Sequence, residues 1–372
     1  MRKGKTIMAV ISYKCPNCDG ELIFDPATQK YKCEYCNSLF SQEELDAMKP
    51  AESTEKKVGA EAAEASSQTD DQAEEQADEK QEEAVYYTCP SCGAEIVTDA
   101  TTAATFCYYC HNPVVLGGRL DGKFLPDKVI PFQIDRKKAE ETFLGYVSKK
   151  KFVPRGFFSK KNIEKLSSVY FPYWLYSVKL KGKMNAEAKR VRTWVAGDEE
   201  ITETKVYELC REGDIALANL PENALKKANA ILAKNVQPYH FDDMKDFHMG
   251  YLSGFLAEKR DIESEEVQQK LRQEMRHDAE QVFRDTMTDY GIVNVHNSDF
   301  HAEEEKWQYV LLPVWTVTYK GNNGKIYYYS MNGQTGQICG ELPIDWKKVI
   351  LTGLVTFVAV LILGLLGGRF IW

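Results

Sequence analysis

Apolar and polar positions change period several times along the chain, and each change predicts an element. A short alternating stretch at residues 21–25, followed by Tyr31 and Lys32, predicts two small strands inside a compact unit spanning 13–40. The unit returns at 87–116 with a constant offset of 74: Tyr13 matches Tyr87, Glu21 matches Glu95, Asp25 matches Asp99 and Tyr35 matches Tyr109. Further on, 124–132 is an extended entry broken by Pro126 and Pro131. Asp135 can cap a helix over 136–150 with Ala139, Phe143, Tyr146 and Val147 on one face and three lysines in its last turn. An apolar run at 169–176 leads into the alternation Val178, Leu180, Gly182, Met184, Ala186, a half-buried strand. More strand is expected over 190–196 and 202–218, with a turn near Gly213. Helical spacing recurs at 221–235, and 239–258 is irregular and aromatic. Ser264 should cap a long helix reaching about Tyr290, with Val267, Leu271, Met275, Ala279 and Phe283 as its packing stripe. A meander closes the soluble part, with strands at 309–319, 325–331 and 337–341 and a turn at 332–336. The run at 310–315 echoes that at 169–174, which suggests two related sheet units with helices inserted between them.

Two segments break this globular pattern. Residues 349–368 are twenty positions without a charge, the length of a transmembrane helix. Trp346 and Trp372 flank the run, Lys347 and Lys348 precede it, and Arg369 follows. Only four residues remain beyond it, so the expectation is a single-pass tail anchor in the cell membrane, with the N-terminal domains in the cytoplasm. Glycines 353, 364, 367 and 368 offer small faces for helix pairing or are simply the glycine common in such helices. The second break is 41–86, with 15 acidic against 4 basic residues. Its centre is too poor in apolar residues to bury a core, which predicts an acidic disordered linker. The net charge of -8 therefore conceals a basic block, since 119–192 carries 19 basic against 7 acidic residues. The fold class expected is α+β and multidomain: zinc ribbon 13–40, linker 41–86, zinc ribbon 87–116, a soluble β-rich domain with inserted helices at 117–345, and the helix 349–368.

The ribbons are named for their cysteines. Cys15, Cys18, Cys33 and Cys36 form one C-x2-C…C-x2-C array, and Cys89, Cys92, Cys107 and Cys110 form the second. Two cysteines three apart at a tight turn aim both sulfurs at one point, and a second such turn closes a tetrahedron around Zn2+. Pro16 and Pro90 stiffen the first turn of each array, and Gly20 and Gly93 permit the backbone excursion after it. Two structural zinc sites are expected; disulfide-linked hairpins are the alternative. Four thiolates leave no position open for water, which argues against hydrolytic zinc. Thiolate sites also require a reducing compartment. Cys210 and Cys339 stand outside the arrays, and His111 follows a complete ligand set.

Other chemistry is excluded by motif. There is no phosphate-binding G-x4-G-K-[ST], no G-x-S-x-G and no H-E-x-x-H, and the histidines are scattered. No enzyme is expected. Three roles remain open for the ribbons: docking a protein partner, binding nucleic acid, or capping the soluble domain after them. Nucleic acid is disfavoured because the ribbons are near-neutral or acidic. The basic block suits an anionic lipid surface.

The two arrays, together with 251–258 (YLSGFLAE), 332–336 (NGQTG) and 340–343 (GELP), resemble a bacterial family of membrane proteins with TFIIB-type zinc ribbons, the YdjG-like proteins. Such proteins often carry the name of the primosomal helicase PriA without its helicase domain. The resemblance covers most of the chain except the linker and supplies no catalytic residues. It implies membrane residence and association with envelope-stress components, such as SPFH-domain or phage-shock-protein-A-like partners.

Overall fold

A computed structural model describes residues 10–11, 13–48, 85–88, 95–98, 101–107, 113–116, 120, 122–154, 166–226, 236–320 and 326–371. The centre of the acidic linker, most of the helix expected at 221–235 and the turn at 321–324 lie outside them.

The N-terminal repeat begins with β1 (Val10–Ile11), then β2 (Leu22–Asp25), β3 (Lys30–Cys33) and β4 (Leu39–Phe40), followed by α1 (Gln42–Met48). The second repeat supplies β5 (Val85–Thr88), β6 (Glu95–Thr98), β7 (Thr102–Phe106) and β8 (Pro113–Leu116). The duplication is visible in strand register. Tyr31 pairs Phe40 and Lys32 pairs Leu39 in the first copy; Thr105 pairs Val114 and Phe106 pairs Pro113 in the second. The bridge Lys14–Glu21 recurs as Thr88–Glu95. Every one of these pairs is displaced by the same 74 positions.

The body follows with β9 (Lys128–Val129), α2 (Arg136–Ser148), β10 (Ser167–Ala196), β11 (Glu199–Asn223), β12 (Lys245–Asp246) and β13 (Leu256–Glu258). Then come α3 (Ser264–Asp285), β14 (Ile292–Lys320), β15 (Ile326–Asn332), β16 (Ile338–Gly340) and α4 (Trp346–Ile371). Eleven strands form one sheet, ordered β1-β8-β7-β13-β10-β14-β15-β16, with β11 on β10 and β9 linking β12 to β14.

The apolar run at 169–176 is buried on both faces of this sheet. Tyr170, Trp174 and Tyr176 join the main core, while Tyr173 and Leu175 join a second cluster with Ile130, Val310 and Leu312. The run that echoes it is its direct partner: Tyr170 pairs Pro313 and Pro172 pairs Leu311, antiparallel. Past Val178 only one face is covered, and the alternation begins. Leu180, Met184, Ala186 and Ala188 are buried. The apolar stripe of α3, Val267 to Phe283, packs against this part of the sheet. A Cβ on Gly182 would stand 2.7 Å from the Phe300 ring and 2.9 Å from Phe283, so glycine makes the notch in which helix and strand meet. The opposite face is charged: Lys179 pairs Glu304 at 2.8 Å, Lys181 pairs Glu303 at 2.5 Å and Lys183 pairs Glu212 at 3.3 Å.

The chain departs from the sequence expectation in five places. The long helix α3 is capped by Glu263 rather than Ser264 and ends at Asp285 rather than near Tyr290. The strands at 190–196 and 202–218 are the outer part of one long hairpin whose turn is at Gly197, with φ of 69°. Gly213 is mid-strand, opposite Gly182. Pro221 to Asn223 end a strand rather than start a helix. The acidic stretch after the first ribbon opens with a helix, α1, whose Leu45 is buried in the core.

Separate ribbon domains were expected, but the packing differs. The β2-β3-β4 sheet of the first repeat shares the main core with the body. In the second repeat, β7 and β8 are strands of the main sheet itself. At the other end, α4 is long and apolar enough to cross a membrane, and none of its window Trp346–Gly364 is buried.

Candidate metal centre

The first array occupies two equivalent knuckles. The N–H of Asp19 donates to the Cys15 carbonyl at 2.9 Å, and the N–H of Asn37 donates to the Cys33 carbonyl at 3.0 Å. In each knuckle the first cysteine's N–H closes a wider loop, Cys15 to the Gly20 carbonyl at 2.7 Å and Cys33 to the Ser38 carbonyl at 3.0 Å. Both loops turn through a residue in the left-handed region, Asp19 (φ 59°) and Asn37 (φ 57°), residue types that tolerate it. The sequence assigned this excursion to Gly20. Its actual role is room: a Cβ there would sit 3.2 Å from the Cys33 sulfur and 3.3 Å from the Cys18 sulfur.

These turns bring the four Sγ atoms of Cys15, Cys18, Cys33 and Cys36 within 4.8 Å of one another. Cys15 and Cys36 are 3.6 Å apart, and Cys18 and Cys33 are 3.5 Å apart. Four thiolates about 2.3 Å from one tetrahedral zinc stand about 3.8 Å from each other. The spacing fits a shared ion and is far too long for a bonded sulfur pair, about 2.05 Å. Cys15 and Cys33 are buried, while Cys18 and Cys36 face solvent. The group could therefore hold a metal ion such as zinc.

The electrostatics agree. Asn17 Nδ2 donates to Ser38 Oγ at 3.0 Å, which leaves the Ser38 hydroxyl to serve the Cys36 sulfur 3.2 Å away. That hydroxyl and the Ser38 backbone N–H draw Cys36 down to about 6. The Gly20 backbone N–H favours the Cys18 thiolate, but the neighbouring sulfurs, Cys33 first, and burial outweigh it, so Cys18 is pushed up to about 12. Four thiols at one point cannot all ionise until a cation joins them.

Of the second array, Cys107 is described: it is buried just past β7, and its counterpart Cys33 is the last residue of β3. Cys89, Cys92 and Cys110 lie outside the described residues. The offset of 74 matches Asp19 to Gly93 and Asn37 to His111, both types suited to a left-handed turn.

The sequence did not foresee what holds the first repeat to the body. Ser253 Oγ donates to the Leu22 carbonyl at 2.6 Å, and Phe24 N–H donates to the Ser253 carbonyl at 3.1 Å. The Phe24 and Tyr251 rings meet edge to face at 5.1 Å. Tyr31 lies over Gly250, where a Cβ would come within 2.5 Å of its hydroxyl, and that hydroxyl donates to Gln42 Oε1 at 2.6 Å. A few residues later Ala257 pairs Ala104 of β7. Segment 250–258 therefore contacts both repeats. The other segment of the resemblance is also internal: Asn332 is fully buried, donates to the Val236 and Pro238 carbonyls, and accepts from Gln334 and Thr335 N–H.

Among the described residues one further group could ligate a cation, Glu187, Glu208 and His296 on adjacent strands. Lys189 Nζ already stands 3.0 Å from Glu187.

No family model matches the sequence, and no solved structure does. The chain is 32% identical over 340 residues to the uncharacterized protein YdjG of Bacillus subtilis (strain 168), an alignment covering 91% of this chain and 92% of that protein. With a likeness of that extent, the chain belongs to the YdjG family.

Proposed function

We propose that this chain is a non-enzymatic, single-pass membrane adaptor that holds zinc in two four-cysteine ribbons and presents its cytoplasmic face to a protein partner. The observation that carries this reading is a closed four-sulfur cluster built into the core of a fold that ends in an exposed apolar helix. A site with all four positions filled by sulfur stiffens a surface and activates no water. The helix gives the soluble part a fixed address at the bilayer.

A second feature favours a protein partner. Beyond α3 the β10–β11 hairpin continues as a two-stranded arm with Val191, Trp194, Val195, Ile201 and Val206 exposed. A lone hairpin is marginal in water, and apolar side chains at its tip are better explained by a partner than by solvent. Nucleic acid is disfavoured further, because Lys179, Lys181 and Lys183 of β10 are engaged by cross-strand carboxylates. The family resemblance makes SPFH-domain and phage-shock-protein-A-like proteins the first partners to test.

The test is co-purification of the detergent-solubilised full chain, with wild type, Cys33→Ser and Trp194→Ser compared by mass spectrometry. The expected result is a protein partner retained by wild type and lost from at least one variant. Retention of the same partner by both variants would place the contact elsewhere. Recovery of nucleic acid instead, released by salt, would replace this reading with the alternative one.

A further inference from the structure

The basic block at 119–192 is not uniform in the structure. In β10, Lys179, Lys181 and Lys183 each face a glutamate. Lys149, Lys150 and Lys151 follow α2 and are exposed. None of these three is paired with a carboxylate among the described residues, and neither is Lys347; Lys150 lies 4.8 Å over the Tyr146 ring.

The lysines at the end of α2 are fastened to the start of the apolar helix. Asp345 N–H donates to the Phe152 carbonyl at 2.7 Å, and Lys348 Nζ donates to the Val153 carbonyl at 2.6 Å. Val153 is buried, so this link is part of the packed body. Trp346 is 66% exposed in the first turn of α4, where an indole marks the level of the headgroups. Three lysines far from α4 in sequence are thereby joined, through the adjacent Phe152 and Val153, to the start of α4, and Phe152 is exposed.

We propose that Lys149, Lys150, Lys151 and Lys347 form a collar that binds the phosphates of anionic lipids at the base of α4. The proposal rests on α4 crossing a membrane. The chemistry is charge complementarity: four unpaired ammonium groups held at headgroup depth meet a leaflet rich in phosphate diesters, while Phe152 and Trp346 enter the boundary between headgroup and chain. The lysines also oppose the carbonyl end of α2, which favours cations there, but that role needs neither Lys347 nor the link to α4.

The experiment uses the full chain reconstituted into vesicles of phosphatidylcholine with about one third phosphatidylglycerol, where alkaline carbonate extraction reports insertion. The protein is then taken up in mild detergent, and its retained lipids are weighed by native mass spectrometry. Wild type is expected to resist extraction and to retain phosphatidylglycerol over phosphatidylcholine by about fivefold or more, the preference that one lysine near an anionic surface supplies. The variant K149Q/K150Q/K151Q/K347Q should remain inserted and lose that preference, while K179Q/K181Q/K183Q keeps it. An inserted wild type with no preference, or a collar variant that keeps its preference, overturns the collar and leaves the anchor standing. Release of wild type by carbonate overturns the anchor and the collar together.

Discussion

Asp19 and Asn37 show how much of a metal site is decided by single backbone angles. Each sits one residue past the second cysteine of its knuckle, in the left-handed region, where its N–H can return to the first cysteine. The cysteine spacing was fully legible in the sequence, because four sulfurs at those intervals have few other uses. Which residue turns and which makes room was not, since Asp19 and Gly20 are neighbours and both are turn formers. The distinction is measurable. Asp19→Gly should leave zinc binding intact, because glycine enters that region at no steric cost. Gly20→Ala puts a methyl against two sulfurs and should weaken zinc affinity by about tenfold or more, the size of supporting-residue effects at such sites. Competition with a chelating dye reads both, and equal affinities for the two variants would refute the assignment. Metal analysis gives the companion result: Cys33→Ser should lower the zinc content by one ion per chain.

Among the elements, α2 was legible from its cap, whereas at α3 the cap is Glu263 and not the expected Ser264. Asp135 accepts from Lys138 N–H at 2.7 Å as expected. Ser41 and Glu44 form the reciprocal pair of a capping box, with Ser41 N–H donating to Glu44 Oε2 at 2.7 Å and Glu44 N–H to Ser41 Oγ at 3.2 Å. That signal, S-Q-E-E before Leu45, was in the sequence but was submerged in the acidity of the linker. The long hairpin was broken into pieces for a different reason. Past Ala188 both of its faces are exposed, so no alternation joins the expected strand pieces into one hairpin, and Gly213 imitates a turn while standing opposite Gly182. Gly182→Ala should therefore act on packing, not on a turn. Its Cβ would drive Phe300 and Phe283 apart at a cost of about 1–3 kcal/mol, seen in chemical denaturation, whereas Gly213→Ala, with open space around it, should be near neutral. The start of α3 offers a test with pH. Glu263 caps the helix, and the guanidinium of the buried Arg260, then Lys123, hold its carboxyl below the ordinary carboxylate range. A lowered value means the stabilisation is complete above the unfolded-state value of about 4.3 and is lost as pH falls through the lower folded one. Glu263→Ala should cost about 1 kcal/mol at neutral pH and melt with less dependence on pH below about 5 than wild type. Parallel acid profiles for the two proteins would show that Arg260 is satisfied by other partners.

For the molecule as a whole, the question is whether the ribbons are appendages or parts of one cooperative structure. Repeats with their own metal ligands and a polar tether suggest beads on a string, and sequence alone cannot say otherwise, because the contacts that join them are dispersed: Phe24, Tyr31, Gln42, Tyr251 and Ser253 are ordinary residues until folding gathers them. In the structure, Cys15 and Cys33 belong to the same core as Phe132, Tyr170 and Trp315. The chain of rings runs from Phe24 through Phe255, 6.4 Å away, to Phe132, which stacks on Phe255 at 4.6 Å and meets Trp315 at 5.5 Å. Losing a zinc ion held there would leave the first knuckles without a cross-link and loosen one wall of that core, so the cost should spread to the body. Calorimetry of the full chain in mild detergent, with and without a zinc chelator, should show the main transition itself move down by at least about 5 °C, since a chain of 372 residues shifts by roughly one degree for each kcal/mol and a structural zinc site contributes several. Cys33→Ser, which leaves the second array intact, should move the main transition part of the way down and respond less than wild type to further chelation. Independent ribbons would behave differently: chelation would abolish a small early transition and leave the main one where it was. That outcome would mean that the shared core is a contact between separately folding parts, so that the molecule is jointed and the first repeat could move without disturbing the sheet.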